Sequence, residues 1–281
     1  MKKHILLPTD FSDNAWSAIV YALKLFKDES CTIYFLHAAN LHLSAMSTSS
    51  NTHLKTILDN AVTELLELKS MAETVNCNAN HQFEIITSKD QLLEAIEMAV
   101  KTYQIDLVIM GTKGATGAQE FFFGSHTVHV LTHLNDCPIL VVPDEFDFVP
   151  PKQLAFPTDY KHFFGAQELN HLKQFAALYD SKIRVVCILE DGTLTELEAY
   201  NKSQLDNYLM NYDHSFHFMP KYSKKTKEIN DFIKALDIDL LVIFRYKHNM
   251  IERILKEPVI KKIGFQPLIP FLVIPNAPTK Q

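Results

Sequence analysis

Two patterns of apolar residues alternate along the chain. Short continuous runs fall near residues 3–8, 31–38, 82–87, 106–111 and 138–143. Between them lie longer stretches, near 13–27, 51–74, 89–103 and 124–134, whose apolar residues recur every three or four positions. The runs predict strands and the stretches predict amphipathic helices. The second half repeats the pattern, with strands expected near 152–157, 182–189, 214–219, 239–244 and 269–274. Regular strand–helix alternation implies βαβ units, and right-handed crossovers place helices on both faces of a parallel sheet. The expected fold is α/β, with two tandem doubly wound, five-stranded parallel sheets. The segment Asn40–Ser50, rich in Ser, Thr and Asn, reads as a flexible loop after the second strand.

The two halves share landmarks in the same order. Ile5-Leu6-Leu7-Pro8-Thr9-Asp10-Phe11 matches Leu154-Ala155-Phe156-Pro157-Thr158-Asp159-Tyr160. Helical patterns follow, carried by Ala15, Ile19, Ala22, Leu23 and Phe26 in one half and by Leu169, Leu172, Phe175, Ala176 and Tyr179 in the other. Ile105-Asp106-Leu107 matches Ile238-Asp239-Leu240, and each half closes on a proline-flanked strand, Pro138–Pro143 and Pro270–Pro275. Asp144–Pro151, with acidic residues and a Pro pair, reads as the linker. The domains are expected at 1–146 and 147–281.

The 281 residues suit two domains of ordinary size, and 47% apolar with 21% charged residues excludes disorder. No apolar run approaches the ~18–20 residues that span a bilayer. The opening Ile5–Leu7 run reads as a strand, not a signal-peptide core, so a cytoplasmic location is expected. The net charge of −6 argues against nucleic-acid or membrane-surface partners. Cys31, Cys77, Cys137 and Cys187 show no metal or disulfide spacing, and Cys31, Cys137 and Cys187 fall in apolar runs as small hydrophobes.

Glycine is scarce, seven in all, yet Gly111, Gly114, Gly117 and Gly124 crowd into one segment between a strand and a helix. Glycine permits positive φ and close approach of backbone to a ligand. The segment lies where a doubly wound sheet binds ligands, beyond the carboxyl ends of its strands. The amide groups at the start of the following helix suit a phosphate. Ser125 would add a hydroxyl or cap that helix, and Lys113 a positive charge. The equivalent stretch of the second half, from Phe244-Arg245-Tyr246 to Lys256-Glu257-Pro258, has no glycine. Turn geometry alone therefore does not demand it.

With these residues in view, the sequence resembles the universal stress protein family over nearly its whole length, as two tandem domains. The most specific part is the motif of the ATP-binding branch: Gly, two residues, Gly, nine residues, Gly, then Ser or Thr. Here these are Gly111, Gly114, Gly124 and Ser125. The resemblance implies a Rossmann-like, adenine nucleotide alpha hydrolase-like fold with strand order 3-2-1-4-5. It also implies ATP or a related adenine nucleotide, with or without Mg, as the bound cofactor. Carried over, Pro8 and Thr9 shape the first loop, and Asp10 and Ala38 lie near adenine and ribose. Met110 and Gly111 fall on the ribose side; Gly114, Gly124, Ser125 and His126 lie near the phosphates, with Lys113 beside them. His126 departs from the apolar residue usual in the family. The implied function is a stress-response protein acting as a nucleotide-dependent regulator or sensor. The alternative is a nucleotide-free dimerisation and scaffold module.

The second domain lacks every motif glycine and is expected not to bind nucleotide: Glu257 repels phosphate and Pro258 removes a donor. Asp159 is expected to cap a helix near 160. Edge-to-edge pairing of the two final strands is expected within the chain, with a homodimer as a further option. His126, His129 and His133 share one helical face, but without an acidic partner they argue weakly for a metal. No nucleophile elbow, zinc-protease or P-loop pattern occurs, so any ATP hydrolysis is expected to be slow. Phe121-Phe122-Phe123 reads as packing of the glycine loop.

Overall fold

The computed structural model of the chain describes residues 2–40, 50–112, 124–189, 193–220, 231–245 and 269–275. They fall into two compact units, Met1–Phe148 and Val149–Gln281. In the first unit the order is β1 (Lys3–Pro8), α1 (Asp13–Leu25), β2 (Cys31–Ala38), α2 (Ser50–Val75), β3 (His81–Ser88), α3 (Leu92–Tyr103), β4 (Leu107–Gly111), α4 (Ser125–His133) and β5 (Ile139–Val142). Its strands run parallel in the order β3-β2-β1-β4-β5. Lys3 pairs with Cys31, Ile5 with Leu107, and Val108 with Ile139.

Both faces of the central strands are covered, so they read as continuous apolar runs. Ile5, Leu6, Leu7, Val108 and Ile109 are each 0–1% exposed. Each such side chain contributes on the order of 1.5–3 kcal/mol by leaving water. Helix α1 starts where Ser12 Oγ accepts from the Ala15 amide at 3.2 Å, and buries Ala15, Ala18, Ile19 and Ala22. Helix α3 starts at Leu92 rather than at 89, because Ser88 and Asp90 close a turn first: Ser88 Oγ accepts from the Asp90 amide and donates to Asp90 Oδ2. Cys31 and Cys137 are buried, and burial pushes the Cys31 thiol up to about 12. These thiols pack as small hydrophobes.

After β5 the chain does not simply leave. Asp144 Oδ1 accepts from Asn14 Nδ2 at 3.0 Å, and the rings of Phe146 and Phe148 pack on Tyr21 of α1 at 6.1 and 5.2 Å. Part of the expected linker thus belongs to the first unit.

The second unit contains β6 (Gln153–Pro157), α5 (Asn170–Leu178), β7 (Lys182–Leu189), α6 (Glu196–Leu209), β8 (His214–Pro220), β9 (Leu240–Arg245) and β10 (Phe271–Pro275). Residues 231–235 are also helical. The parallel order is β8-β7-β6-β9-β10, the same topology as the first unit.

The repeat extends to hydrogen bonds. Thr9 Oγ1 accepts from the Phe11 amide and Asp10 Oδ1 from the Ser12 amide. Thr158 Oγ1 accepts from the Tyr160 amide and Asp159 Oδ1 from the Lys161 amide. Phe11 and Tyr160 both take left-handed backbone, φ 63° and 56°. The Ile-Asp-Leu landmarks are equally structural. Asp106 Oδ2 accepts from the His4 amide at 2.8 Å, and Asp239 Oδ2 from the Gln153 amide at 2.8 Å. Each carboxylate ties the strand it precedes to the opening strand of its unit.

One expectation fails here. Asp159 does not cap a helix near 160, because α5 begins only at Asn170. The intervening loop is held by His162 Nε2 against Glu168 Oε1 at 3.0 Å, and by the Gly165 amide donating to Glu168 Oε2. Burial is the largest single influence on the Glu168 carboxyl and raises it, but the hydrogen bonds from His162 and Gly165, with the His162 ring close by, together outweigh burial and hold the carboxyl below its usual range.

Candidate functional site

A cavity of about 350 Å³ opens at the carboxyl ends of β1, β2 and β4. This is the edge at which open α/β sheets take ligands. The β1–α1 turn supplies Pro8, Thr9 and Asp10, and the end of β2 supplies Ala38. The end of β4 supplies Met110 and Gly111, and the start of α4 supplies Gly124, Ser125 and His126. These nine residues are the described members of the set singled out from sequence. Lys113 and Gly114 lie outside the described residues, as do Gly117, Phe121–Phe123, Glu257, Pro258 and residues 41–49 of the expected loop.

Sequence reasoning missed part of the wall. Ala15, His37, Asn40, Gln91, Leu92 and Leu93 also line the cavity, as do Thr127, His129 and Val130 from α4. The fold rule pointed at His37 and Asn40, which flank Ala38 at a strand's carboxyl end. Gln91–Leu93 form the start of α3, which carries no motif of its own.

The β1–α1 turn is a rigid rim. The Thr9 amide donates to the Leu36 carbonyl at 2.8 Å, and Asp10 Oδ1 also accepts from Ser12 Oγ at 2.6 Å. The His37 ring stacks on Phe11 with centroids 4.7 Å apart, and its Nδ1 lies 2.9 Å from the Thr9 carbonyl oxygen. Asn40 holds left-handed backbone, φ 48°, a conformation that Asn tolerates better than most residues.

The opposite rim is the start of α4. Residues 112 and 124 are clasped, with the Gly124 amide donating to the Thr112 carbonyl at 2.7 Å. Thr127 Oγ1 donates to the Gly111 carbonyl at 3.0 Å. The N-cap of α4 is Gly124, so Ser125 is the first helical residue and not the cap foreseen from sequence. Among the described residues no side chain caps this end, and its first turn holds no acidic residue. Helix α1, in contrast, is capped by Ser12. An uncapped helix start has amide donors to offer an anion.

Gly111 is glycine for a reason the sequence did not disclose. A Cβ there would lie 2.0 Å from Asn14 Oδ1 and 3.0 Å from the Asn14 carbonyl oxygen. The neighbouring helix fills that space, so packing rather than ligand approach demands the missing side chain. Farther along α4, His133 Nδ1 is 2.8 Å from the His129 carbonyl and its ring lies 4.3 Å from the His129 ring. Among the described residues no three His, Cys, Asp or Glu side chains converge as metal ligands. No helix of the described residues is long and apolar enough to cross a membrane.

The strand registers locate the same positions in the second unit. Leu107 and Leu240 pair with equivalent residues of β1 and β6, so Gly111 corresponds to Phe244. Phe164 lies in the loop before α5, with no counterpart fixed by a register. Phe156, Phe164 and Phe244 form a triangle of rings 4.9–5.1 Å apart, each at most 4% exposed. At the position of Gly111, which lines the first unit's cavity, the second unit thus has a buried aromatic ring packed on two more.

A parallel sheet flanked by helices, with a cleft at its carboxyl edge, defines a doubly wound α/β domain. The family model of the universal stress protein family matches residues 1–143, and the chain belongs to that family. It is similar to universal stress protein MJ0531 of Methanocaldococcus jannaschii, 26% identical over 143 residues, covering 50% of this chain and 81% of that protein. It is also similar to universal stress protein YxiE of Bacillus subtilis, 24% identical over 150 residues, covering 50% of this chain and 99% of that protein. In fold, 98% of the chain matches 97% of a universal stress protein from Archaeoglobus fulgidus at TM-score 0.70 and 16% identity.

Proposed function

We propose that the first unit binds ATP or a related adenine nucleotide, and that the protein works as a nucleotide-dependent regulator or sensor in a stress response. The observation that carries this reading is the gathering of all nine described motif residues around one cavity. Asp10 and the end of β2 face the base and ribose; the uncapped start of α4 offers its amides to the phosphates. The backbone of Gly124, φ −58° and ψ 147°, is open to any residue. Glycine at this position is then best explained by what must come close to it. The second unit is the non-binding partner domain, because a buried ring, Phe244, stands where the first unit keeps Gly111.

The test is titration calorimetry of the intact chain with ATP, together with mass spectrometry of the denatured purified protein. One equivalent of nucleotide per chain is expected. Gly124→Glu places a carboxylate beside the phosphates and is expected to weaken ATP at least about a hundredfold, with the melting temperature held, since its backbone angles suit a side chain. Unchanged affinity in that variant overturns the assignment. A wild-type chain that takes up no nucleotide favours the scaffold role instead.

A further inference from the structure

The cavity contains a polar side chain that the glycine motif does not account for. His37 closes β2, lines the cavity, and makes two contacts that fix its ring. One face stacks on Phe11, itself held in left-handed backbone. Its Nδ1 sits 2.9 Å from the carbonyl oxygen of Thr9. A carbonyl oxygen only accepts, so Nδ1 carries the proton. In the neutral ring Nε2 then has a lone pair and no proton. Among the described residues no protein group bonds to it.

The second unit provides an internal control. Pro8 pairs with Leu36 and Pro157 with Val186, so His37 corresponds to Cys187 and Phe11 to Tyr160. Cys187 is 1% exposed, and a thiol is a weak hydrogen-bonding group. Where the cavity-lining Gly111 gives way to a ring, the imidazole gives way to a buried small side chain. The acceptor goes with the open cavity.

We propose that His37 is a specificity-determining residue: its Nε2 accepts a hydrogen bond from an amine or hydroxyl donor on the nucleoside part of the bound molecule. This rests on the nucleotide reading above. The ring is pre-organised by Phe11 and Thr9, so little ordering cost attends the bond. A base presenting a carbonyl at that point would set two acceptors against each other and bind less well.

The experiment titrates the intact chain and His37→Phe with ATP, inosine triphosphate, and the 2′- and 3′-deoxy analogues of ATP. Phenylalanine keeps the stack on Phe11 and removes both nitrogens. In the wild type, ATP is expected to bind about tenfold better than the analogue lacking the contacted donor, the size of one good hydrogen bond. In His37→Phe that advantage disappears. Loss of the inosine discrimination identifies the base amine as the donor; loss of a deoxy discrimination identifies a ribose hydroxyl. Imidazole ¹⁵N spectra of the wild type are expected to show Nε2 moving on addition of ATP while Nδ1 stays. They decide the matter even if the variant folds poorly. If all four ligands weaken by one factor and Nε2 does not move, His37 only braces the Thr9 turn and the proposal falls. If the wild type binds no ATP, the nucleotide reading fails first and this inference with it.

Discussion

The two units share strand order, registers and the hydrogen bonds of the Pro-Thr-Asp turn, yet they treat the same carboxyl edge in opposite ways. The first keeps Ala15, Gly111 and His37 around a cavity. At the Gly111 and His37 positions the second has Phe244 and Cys187, both at most 3% exposed. The topology and the turn are therefore requirements of the fold, since both units retain them. The small and polar lining is not a requirement of the shared topology, since only one unit retains it. A landmark repeated in both halves, such as Asp106 and Asp239, speaks of architecture; a landmark kept in one half does not.

The largest effect is expected from opening the closed unit. Phe244→Ala removes one ring of the Phe156–Phe164–Phe244 triangle and should cost about 3–5 kcal/mol in denaturant unfolding of the second unit. It should create no second nucleotide site, because the motif glycines are still missing there. Uptake of a second equivalent of ATP would show that ring packing alone separates the units. The converse change, Ala15→Phe, sets a ring in the wall of the open unit's cavity. It should weaken ATP by about a hundredfold or more by calorimetry, because the ring has the cavity to enter. Unaltered affinity would break the comparison, since the swapped position would then have nothing to do with access.

Much of this contrast was legible in the sequence, and the illegible part has physical causes. The strands and helices of the first unit begin and end within about three residues of their hydrophobic patterns, because both faces of its sheet are covered and period follows burial. The displaced start of α5 was hidden because Asp159 has the chemistry of a cap but makes a local turn, after which Tyr160 turns left-handed. The motif side of the cavity was visible through glycine spacing. The α3 side was not, since Gln91–Leu93 enter through tertiary packing alone. Gly111 shows the reverse error: its glycine was noticed for ligand approach, while its first cause is Asn14. Phe244 was plain in the sequence, but only the strand registers reveal that it stands at the Gly111 position.

The smallest expected effect concerns pH and again separates the units. The registers make His217 of β8 correspond to Ile86 of β3, so one unit carries a titratable ring where the other carries a hydrocarbon. His217 Nε2 lies 2.8 Å from Ser215 Oγ, which accepts from Arg184 NH1 at 2.8 Å, and Phe232 packs against the ring. Burial first, and the Arg184 charge second, lower the His217 pKa. The folded state therefore resists a proton that the unfolded chain accepts at about pH 6.5. Between that value and the depressed folded one the unfolded state holds more protons, so stability falls as pH falls. The contribution is complete above about pH 6.5 and is lost on acidification below it. A thermal melt of the second unit's transition should drop modestly between about pH 7.5 and about pH 5.5. His217→Gln keeps a partner for Ser215 without titrating, and should flatten that part of the dependence. An identical acid response in the variant would mean that His217 is as readily protonated folded as unfolded, and the contrast with Ile86 would carry no energetic weight.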